Sequence, residues 1–410
     1  VRLLIFGDMA ATGFGTVTMD LGRALIDLGV DVRFLSFSEF ENLPEPFASR
    51  TATLGVPEDR IAAEVVRAKI EHIMDGALFE DAWTPTVALV LGDVGSLIEG
   101  RILTWFPAGL PAFHYAPIEG VGLPPAWLRL WDRLRPIAMS EFGAEQLAEL
   151  TGVRPPVIYH GVDTDAFYPV SPAHPITWRS GSAMVVIRSK TEAKRAFGIP
   201  PDSIFIFRAD ANVVRKAYFE LFLALAPVVH ADPRVIVGVH CKARDYGGDL
   251  DDMLSHYPPR ITARMGQCEV SRKFAEAGAR MPREVLAALY NAADIYVSNS
   301  CEGFGLTIAE ALACGVPAVG LDWSSVPEII GKAGVVVPPG RVYPNIYSHF
   351  WAVADTDKLT AAVASLVRSK GQRRGLGDLG PIHVGALFHW PRVARQFLDV
   401  MRPKLVEVAA

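Results

Sequence analysis

Short apolar runs alternate with longer amphipathic stretches along most of this chain. Arg2–Phe6, Val30–Leu35, Val87–Leu91, Ile204–Arg208, Val235–Cys241 and Asp294–Ser298 read as buried strands. Arg101–Phe106 and Ile261–Met265 are further strand candidates. Thr16–Leu28, Tyr218–Val229, Leu306–Cys314 and Asp357–Val367 carry helical periodicity, and Pro282–Ala292 opens on a proline suited to a first helical turn. Glu58–Glu80, with Ile61, Val65, Ile70 and Ile73, also reads as helix. The strand–helix alternation comes in two blocks and predicts two α/β domains with parallel sheets. At 410 residues the chain is too long for one ordinary core.

Between the blocks, residues 170–203 are rich in proline and serine and then charged, which predicts a linker with an irregular helix over Thr191–Phe197. Lys242–Asp252 reads as a polar loop, and the aromatic-rich Tyr343–Ala354 as an insertion.

Composition narrows the classes. Half of the residues are hydrophobic and the net charge is −5, which argues against a general nucleic-acid binder. Cys241, Cys268, Cys301 and Cys314 lack metal-ligand or disulfide-framework spacing and read as free thiols of a reducing compartment. No stretch has the form of a signal peptide or is apolar for about 18 residues, so the expectation is a cytoplasmic protein with no transmembrane segment; peripheral membrane contact stays open.

The strongest chemical signal is the strand–loop–helix unit from Ser298 to Pro317. Its loop, Glu302-Gly303-Phe304-Gly305, leads into a helix beginning Leu306-Thr307, with Gly315 and Pro317 ending it. A glycine loop before a helix N-terminus offers free N–H groups and partial positive charge to a phosphate. Glu302 and Glu310 flank that site. Carboxylates beside a phosphate suit hydroxyl protons, so the ligand shape is a diphosphate with hydroxyls at both ends, as in a nucleotide sugar. A second glycine loop, with Gly13 and Gly15, follows the first strand, but Thr18 stands where a dinucleotide fingerprint needs its third glycine. That loop reads as a ligand-side loop at the carboxyl end of its strand or as a plain tight turn.

The run from Glu302 to Glu310 resembles the E-x7-E motif of retaining GT-B glycosyltransferases, family 4. Ala311–Val319, Val326–Ile330 and Gly334–Pro338 resemble the segments that follow it in that family, and Pro136–Gly143, Val157–Pro169 and Phe388–Phe397 resemble others. The resemblance implies a GT-B fold of two Rossmann-like domains facing a central cleft. It implies an N-terminal acceptor-side domain over 1–169 with a C-terminal helix 391–410 packing back on it, and a nucleotide-sugar-binding domain over 204–390. It also implies retaining hexosyl transfer from a nucleoside-diphosphate sugar to an acceptor hydroxyl, with no resident cofactor and no metal. UDP-sugar is favoured and GDP-sugar is second; the acceptor is open among glycan, lipid, protein, metabolite and modified nucleobase. Two alternatives stay beside it, a nucleotide-sugar binder without turnover and a sugar-nucleotide epimerase.

Carried onto this chain, Glu310 is expected on the ribose hydroxyls, and Glu302 with Gly303, Phe304, Gly305, Leu306 and Thr307 on the sugar and phosphates. Lys216 matches the family lysine that stabilises the leaving diphosphate, with Arg215 or Arg208 as its companion, because Ala211 stands where the family has an arginine. Gly13 and Gly15 are carried over as neighbours of the donor phosphates. His114 and Glu119 lie in a Pro/Gly-rich stretch, His114–Trp127, that reads as a cleft-wall loop holding an acceptor hydroxyl or as a structural loop. His160 and Asp163 are expected to fix a turn. The base contacts are expected somewhere within Gln267–Met281.

Overall fold

The structure is a computed structural model that describes residues 1–10, 12–36, 43–53, 72–79, 81–99, 107, 109–276 and 281–409. The strand expected at Arg101–Phe106 and most of the helix expected at Glu58–Glu80 lie outside these residues; the part at 72–79 is built mainly of turns, with Ile73 buried. The chain divides into two compact units. One comprises Val1–Gly161, Ile346–His349 and His389–Ala410; the other comprises Val162–Asn345 and Phe350–Phe388.

The first unit is built on strands β1 (Arg2–Gly7), β2 (Asp31–Ser36), β3 (Thr51–Thr53), β4 (Val87–Leu91), β5 (Ala112–Ala116) and β6 (Arg135–Ala138). They form one parallel sheet in the order β3-β2-β1-β4-β5-β6. Every residue of β4 and β5 is buried, which is why these strands read as continuous apolar runs rather than as alternation. The helix Gly13–Asp27 follows β1 and contacts the C-terminal helix Trp390–Ala409. Tyr115 of β5 meets Phe397 of that C-terminal helix edge to face, with ring centroids 4.8 Å apart.

The second unit begins with a hairpin of β7 (Ile176–Ser180) and β8 (Ala183–Ile187) and the helix Lys190–Ala196. The stretch expected as a linker is therefore structured and belongs to this unit. Its anchor is ionic: Lys194 Nζ reaches Asp294 Oδ2 at 2.6 Å and the Ser203 carbonyl at 2.6 Å, a pairing with a distant residue that no local pattern announces. The remaining strands are β9 (Ile204–Ala209), β10 (Val235–His240), β11 (Arg244–Asp245), β12 (Gly248–Asp249), β13 (Met265–Gln267), β14 (Ile295–Ser298), β15 (Ala318–Leu321), β16 (Gly334–Val337), β17 (Pro339–Pro344) and β18 (Phe350–Ala354). Six of them make a parallel sheet in the order β13-β10-β9-β14-β15-β16, the same winding as in the first unit.

Three further expectations shift. The strand at Ile261–Met265 is β13, starting at Met265, because Pro258 and Pro259 open a short helix that takes up Ile261. The polar loop Lys242–Asp252 holds the β11–β12 ladder and a helix start, Leu250–Leu254, capped by Asp249. The insertion Tyr343–Ala354 is largely the β17–β18 hairpin. A helix the sequence did not announce, Lys370–Leu387, contacts Leu306–Ala313. Its glycines read locally as breakers, yet a Cβ at Gly380 would stand 2.4 Å from the Leu312 carbonyl oxygen, so glycine is what lets the two helices approach.

Candidate functional site

In a doubly wound sheet, ligands bind at the carboxyl ends of the strands where the winding reverses. In the second unit that point lies between β9 and β14, since β10 packs on one side of β9 and β14 on the other. Arg208, near the end of β9, is 1% exposed and spans this point. It donates to Asn299 Oδ1 and, at 3.1 Å, to Ser300 Oγ, both just beyond β14. Its Nε donates to Asp210 at 3.2 Å, and its guanidinium lies 4.9 Å from the centre of the Tyr218 ring. Arg208 thus ties the two strand ends together.

Lys216 ends the short 3-10 helix Val214–Lys216 that follows β9, buried, with Nζ 2.6 Å from Asp210 Oδ1 and 2.5 Å from Glu302 Oε1. Arg215 donates to Glu302 Oε2 at 3.2 Å and to the Cys301 carbonyl. Burial pushes the Asp210 carboxyl up, but Lys216 and then Arg208 outweigh it and hold it below the usual carboxylate range. Three cations and two carboxylates therefore share one largely buried cluster with a net charge of +1, which suits an added anion.

The Glu302 loop is fixed from several sides. Its backbone N–H donates to Ser324 Oγ at 2.9 Å, and Ser325 Oγ donates towards the carbonyls of Glu302 and Phe304 at 2.9 and 2.7 Å. Gly305 takes φ +102° at the N-cap of the helix Leu306–Ala313, a conformation that requires glycine. Phe304 is buried, whereas Leu306 and Thr307, in the first turn, are half-buried. Glu310 is buried one turn further on, and its Oε2 accepts from the Tyr290 hydroxyl at 2.9 Å. The helix is buried at every position from Ile308 to Ala313.

The structure thus brings Arg208, Arg215, Lys216 and Glu302 into one cluster and joins Glu310 to it through one loop and helix. Gly13, Gly15 and His114 belong to the first unit. Gly13 and Gly15 are not in the loop after β1 but in the first turn of the helix Gly13–Asp27, because Thr12 caps it by accepting from Gly15 N at 3.0 Å. A Cβ at Gly15 would stand 2.0 Å from the Ala10 carbonyl oxygen, while Gly13 faces open space.

His114 is likewise not in a loop. It lies within β5, fully buried, its Nε2 3.0 Å from the Gly92 carbonyl and its Nδ1 accepting from Trp131 Nε1 at 3.2 Å. These partners select the neutral Nε2–H tautomer, and burial pulls its pKa down to about 4. Glu119 is half-buried in the loop beyond β5. His160 pairs with the Tyr115 hydroxyl at 2.7 Å, and Asp163 pairs with Arg283 at 2.6 Å while accepting from the backbone of Asp165 and Ala166.

Asp210, Asn299, Ser300, Ser324 and Ser325 were not singled out from the sequence. The one available signal is the polar run Ser298–Ser300 directly after an apolar strand at the edge of the glycine loop. Part of the Gln267–Met281 stretch expected to contact the base lies outside the described residues. Among those described, Gln267 donates to the Cys241 carbonyl at 2.6 Å. Among the described residues no helix is long and apolar enough to cross a membrane.

The family "Glycosyl transferases group 1" matches residues 254–368. The MMP alpha-(1->4)-mannosyltransferase of Mycolicibacterium hassiacum is 33% identical over 132 residues, which is 31% of this chain and 28% of that protein's length. D-inositol 3-phosphate glycosyltransferase 2 of Catenulispora acidiphila is 25% identical over 444 aligned residues, covering 98% of this chain and 93% of its own. Among solved structures, Anabaena Alr3699/HepE in complex with UDP-glucose superposes with a TM-score of 0.70 at 14% identity, over 98% of this chain and 99% of its own. With two doubly wound parallel sheets and this superposition, the chain has the GT-B fold, and its residues 254–368, which include the site helix, are similar to glycosyl transferases of group 1.

Proposed function

We propose that the chain moves a hexosyl group from a nucleoside-diphosphate sugar to an acceptor hydroxyl, with retention at the anomeric carbon and without a bound metal. UDP-sugar is the first choice of donor and GDP-sugar the second. The observation that carries this reading is the cluster of Arg208, Arg215 and Lys216 with Asp210 and Glu302 at the winding reversal of the second sheet. As the glycosidic bond breaks, negative charge builds on the departing diphosphate. Cations already fixed in a desolvated site stabilise that charge with little reorganisation. Lys216 and Arg215 fill this role, Arg208 holds the strand ends beneath them, and Glu302 with the backbone of Gly303–Thr307 receives the sugar and phosphates. Glu310, oriented by Tyr290, takes the ribose hydroxyls.

The names of the relatives support a hexosyl class: the M. hassiacum protein is called a mannosyltransferase, and the Anabaena neighbour holds UDP-glucose. The test is a calorimetric titration with UDP and GDP, followed by turnover of UDP-glucose and GDP-mannose in EDTA, with the anomeric configuration of the product read by proton NMR. Micromolar binding of one diphosphate and a product of unchanged configuration are expected. Inversion, or activity that disappears in EDTA and returns with a divalent cation, would overturn the respective part.

A further inference from the structure

The turn after β15 carries a strained residue. Ser324 has φ +54°, in the left-handed region that residues with a Cβ avoid. Its hydroxyl oxygen accepts the Glu302 N–H, and the buried Ser325 hydroxyl lies 2.9 and 2.7 Å from the carbonyls of Glu302 and Phe304. Three backbone groups of the glycine loop therefore end on two neighbouring serine side chains, from a segment more than twenty residues away. Across the cluster, Ala217 directly follows Lys216 and has φ +48°, and its carbonyl accepts from Asn299 Nδ2 at 3.0 Å. Two left-handed non-glycine residues thus bracket the Lys216–Glu302 pair. Glycine would adopt either conformation without strain. A serine at 324 is tolerated where surrounding contacts over-determine the backbone, and what it adds over glycine is the oxygen that holds Glu302.

We propose that Ser324 and Ser325 form a hydroxyl clamp on the Glu302–Gly305 backbone, and that Ser324 is a positioning residue that sets the Glu302 carboxylate against Lys216. The proposal rests on the reading of this cluster as the donor site. A looser Glu302 leaves Lys216 held by Asp210 alone and less firmly placed where charge develops on the leaving group. The loss then falls on the chemical step more than on donor binding.

Ser324→Gly and Ser324→Ala separate the hydroxyl from the strain, since both lack the oxygen and only glycine relaxes the backbone. Three readouts apply: hydrogen exchange of the peptide spanning Glu302–Gly305, melting temperature, and kcat and KM for UDP-glucose or GDP-mannose turnover. In both variants exchange of that peptide is expected to rise and kcat to fall by about tenfold, with KM within about twofold. Ser324→Gly is expected to melt no lower than the wild type, and Ser324→Ala lower. Wild-type exchange or wild-type kcat in Ser324→Gly overturns the positioning role while leaving the donor site standing. A wild-type protein that binds neither UDP nor GDP and turns over neither donor overturns the donor reading and the positioning role together.

Discussion

Lys216 and Glu302 are 86 residues apart in the chain and 2.5 Å apart in the fold, Nζ to Oε1, with both side chains buried. Removing one partner of a buried pair strands the other charge, which costs about 3–5 kcal/mol, whereas replacing both by apolar groups of similar volume is often near neutral. Lys216→Ala is therefore expected to lower stability by that order and to abolish transfer. Lys216→Met combined with Glu302→Leu is expected to regain only part of the stability, since Asp210 loses Lys216 and Arg215 loses Glu302, and none of the activity. Denaturant unfolding beside a donor-turnover assay checks this; recovery of turnover in the double variant would show that the pair is only structural.

Glu310 and Tyr290 make a second pair, hydroxyl to carboxylate at 2.9 Å. Glu310→Ala is expected to weaken nucleoside-diphosphate binding by roughly 1–3 kcal/mol through lost buried hydrogen bonds. Tyr290→Phe is expected to cost less, since it removes only the donor that orients the carboxylate. Unchanged diphosphate affinity in Glu310→Ala, by calorimetry, would remove the ribose assignment.

Gly13 and Gly15 share a helical turn but not a fate. A Cβ at Gly15 collides with the Ala10 carbonyl, so Gly15→Ala is expected to destabilise the first unit by about 1–3 kcal/mol. Gly13→Ala meets nothing within 4 Å and is expected to be neutral within a few tenths of a kcal/mol or slightly stabilising, as alanine is the better helix former. Equal unfolding midpoints for the two variants would contradict this packing.

Burial holds His114 at a pKa of about 4 and His160 at about 3. The unfolded chain takes up those protons near pH 6.5, the folded chain only near pH 3–4, so between these values the unfolded state binds more protons. Stability is therefore expected to be full above pH 6.5 and to fall as pH drops towards 4, by up to roughly 3 kcal/mol for each histidine. Urea midpoints measured from pH 7 to 4.5 check the slope, and His160→Gln is expected to flatten part of it. A flat profile in both proteins would show these rings to be solvated.

Much of the fold was legible because its signals are local. Buried parallel strands write themselves as continuous apolar runs, and β1, β2, β4, β9, β10 and β14 appear where those runs are. Glycine before a helix and glycine after it mark the Leu306–Ala313 unit, since φ +102° at Gly305 and +73° at Gly315 are conformations that other residues resist. The helix Lys370–Leu387 was illegible for the opposite reason: its glycines lower local propensity, and only tertiary contact explains two of them, Gly380 against Leu312 and Gly377 against Gly315.

By itself, then, the sequence determined the strand–helix alternation and the glycine loop with its two flanking acids. Those depend on periodicity and backbone freedom over a few residues. The tertiary structure alone decided that Asp210 and Glu302 share Lys216, that Arg208 braces two strand ends, that Ser324 grips the loop and that His114 is sealed inside a strand. Each of these contacts joins segments brought together by the order of strands in a sheet. Strand order is set by the burial of the whole apolar surface, a sum over the entire unit that no short stretch of sequence carries.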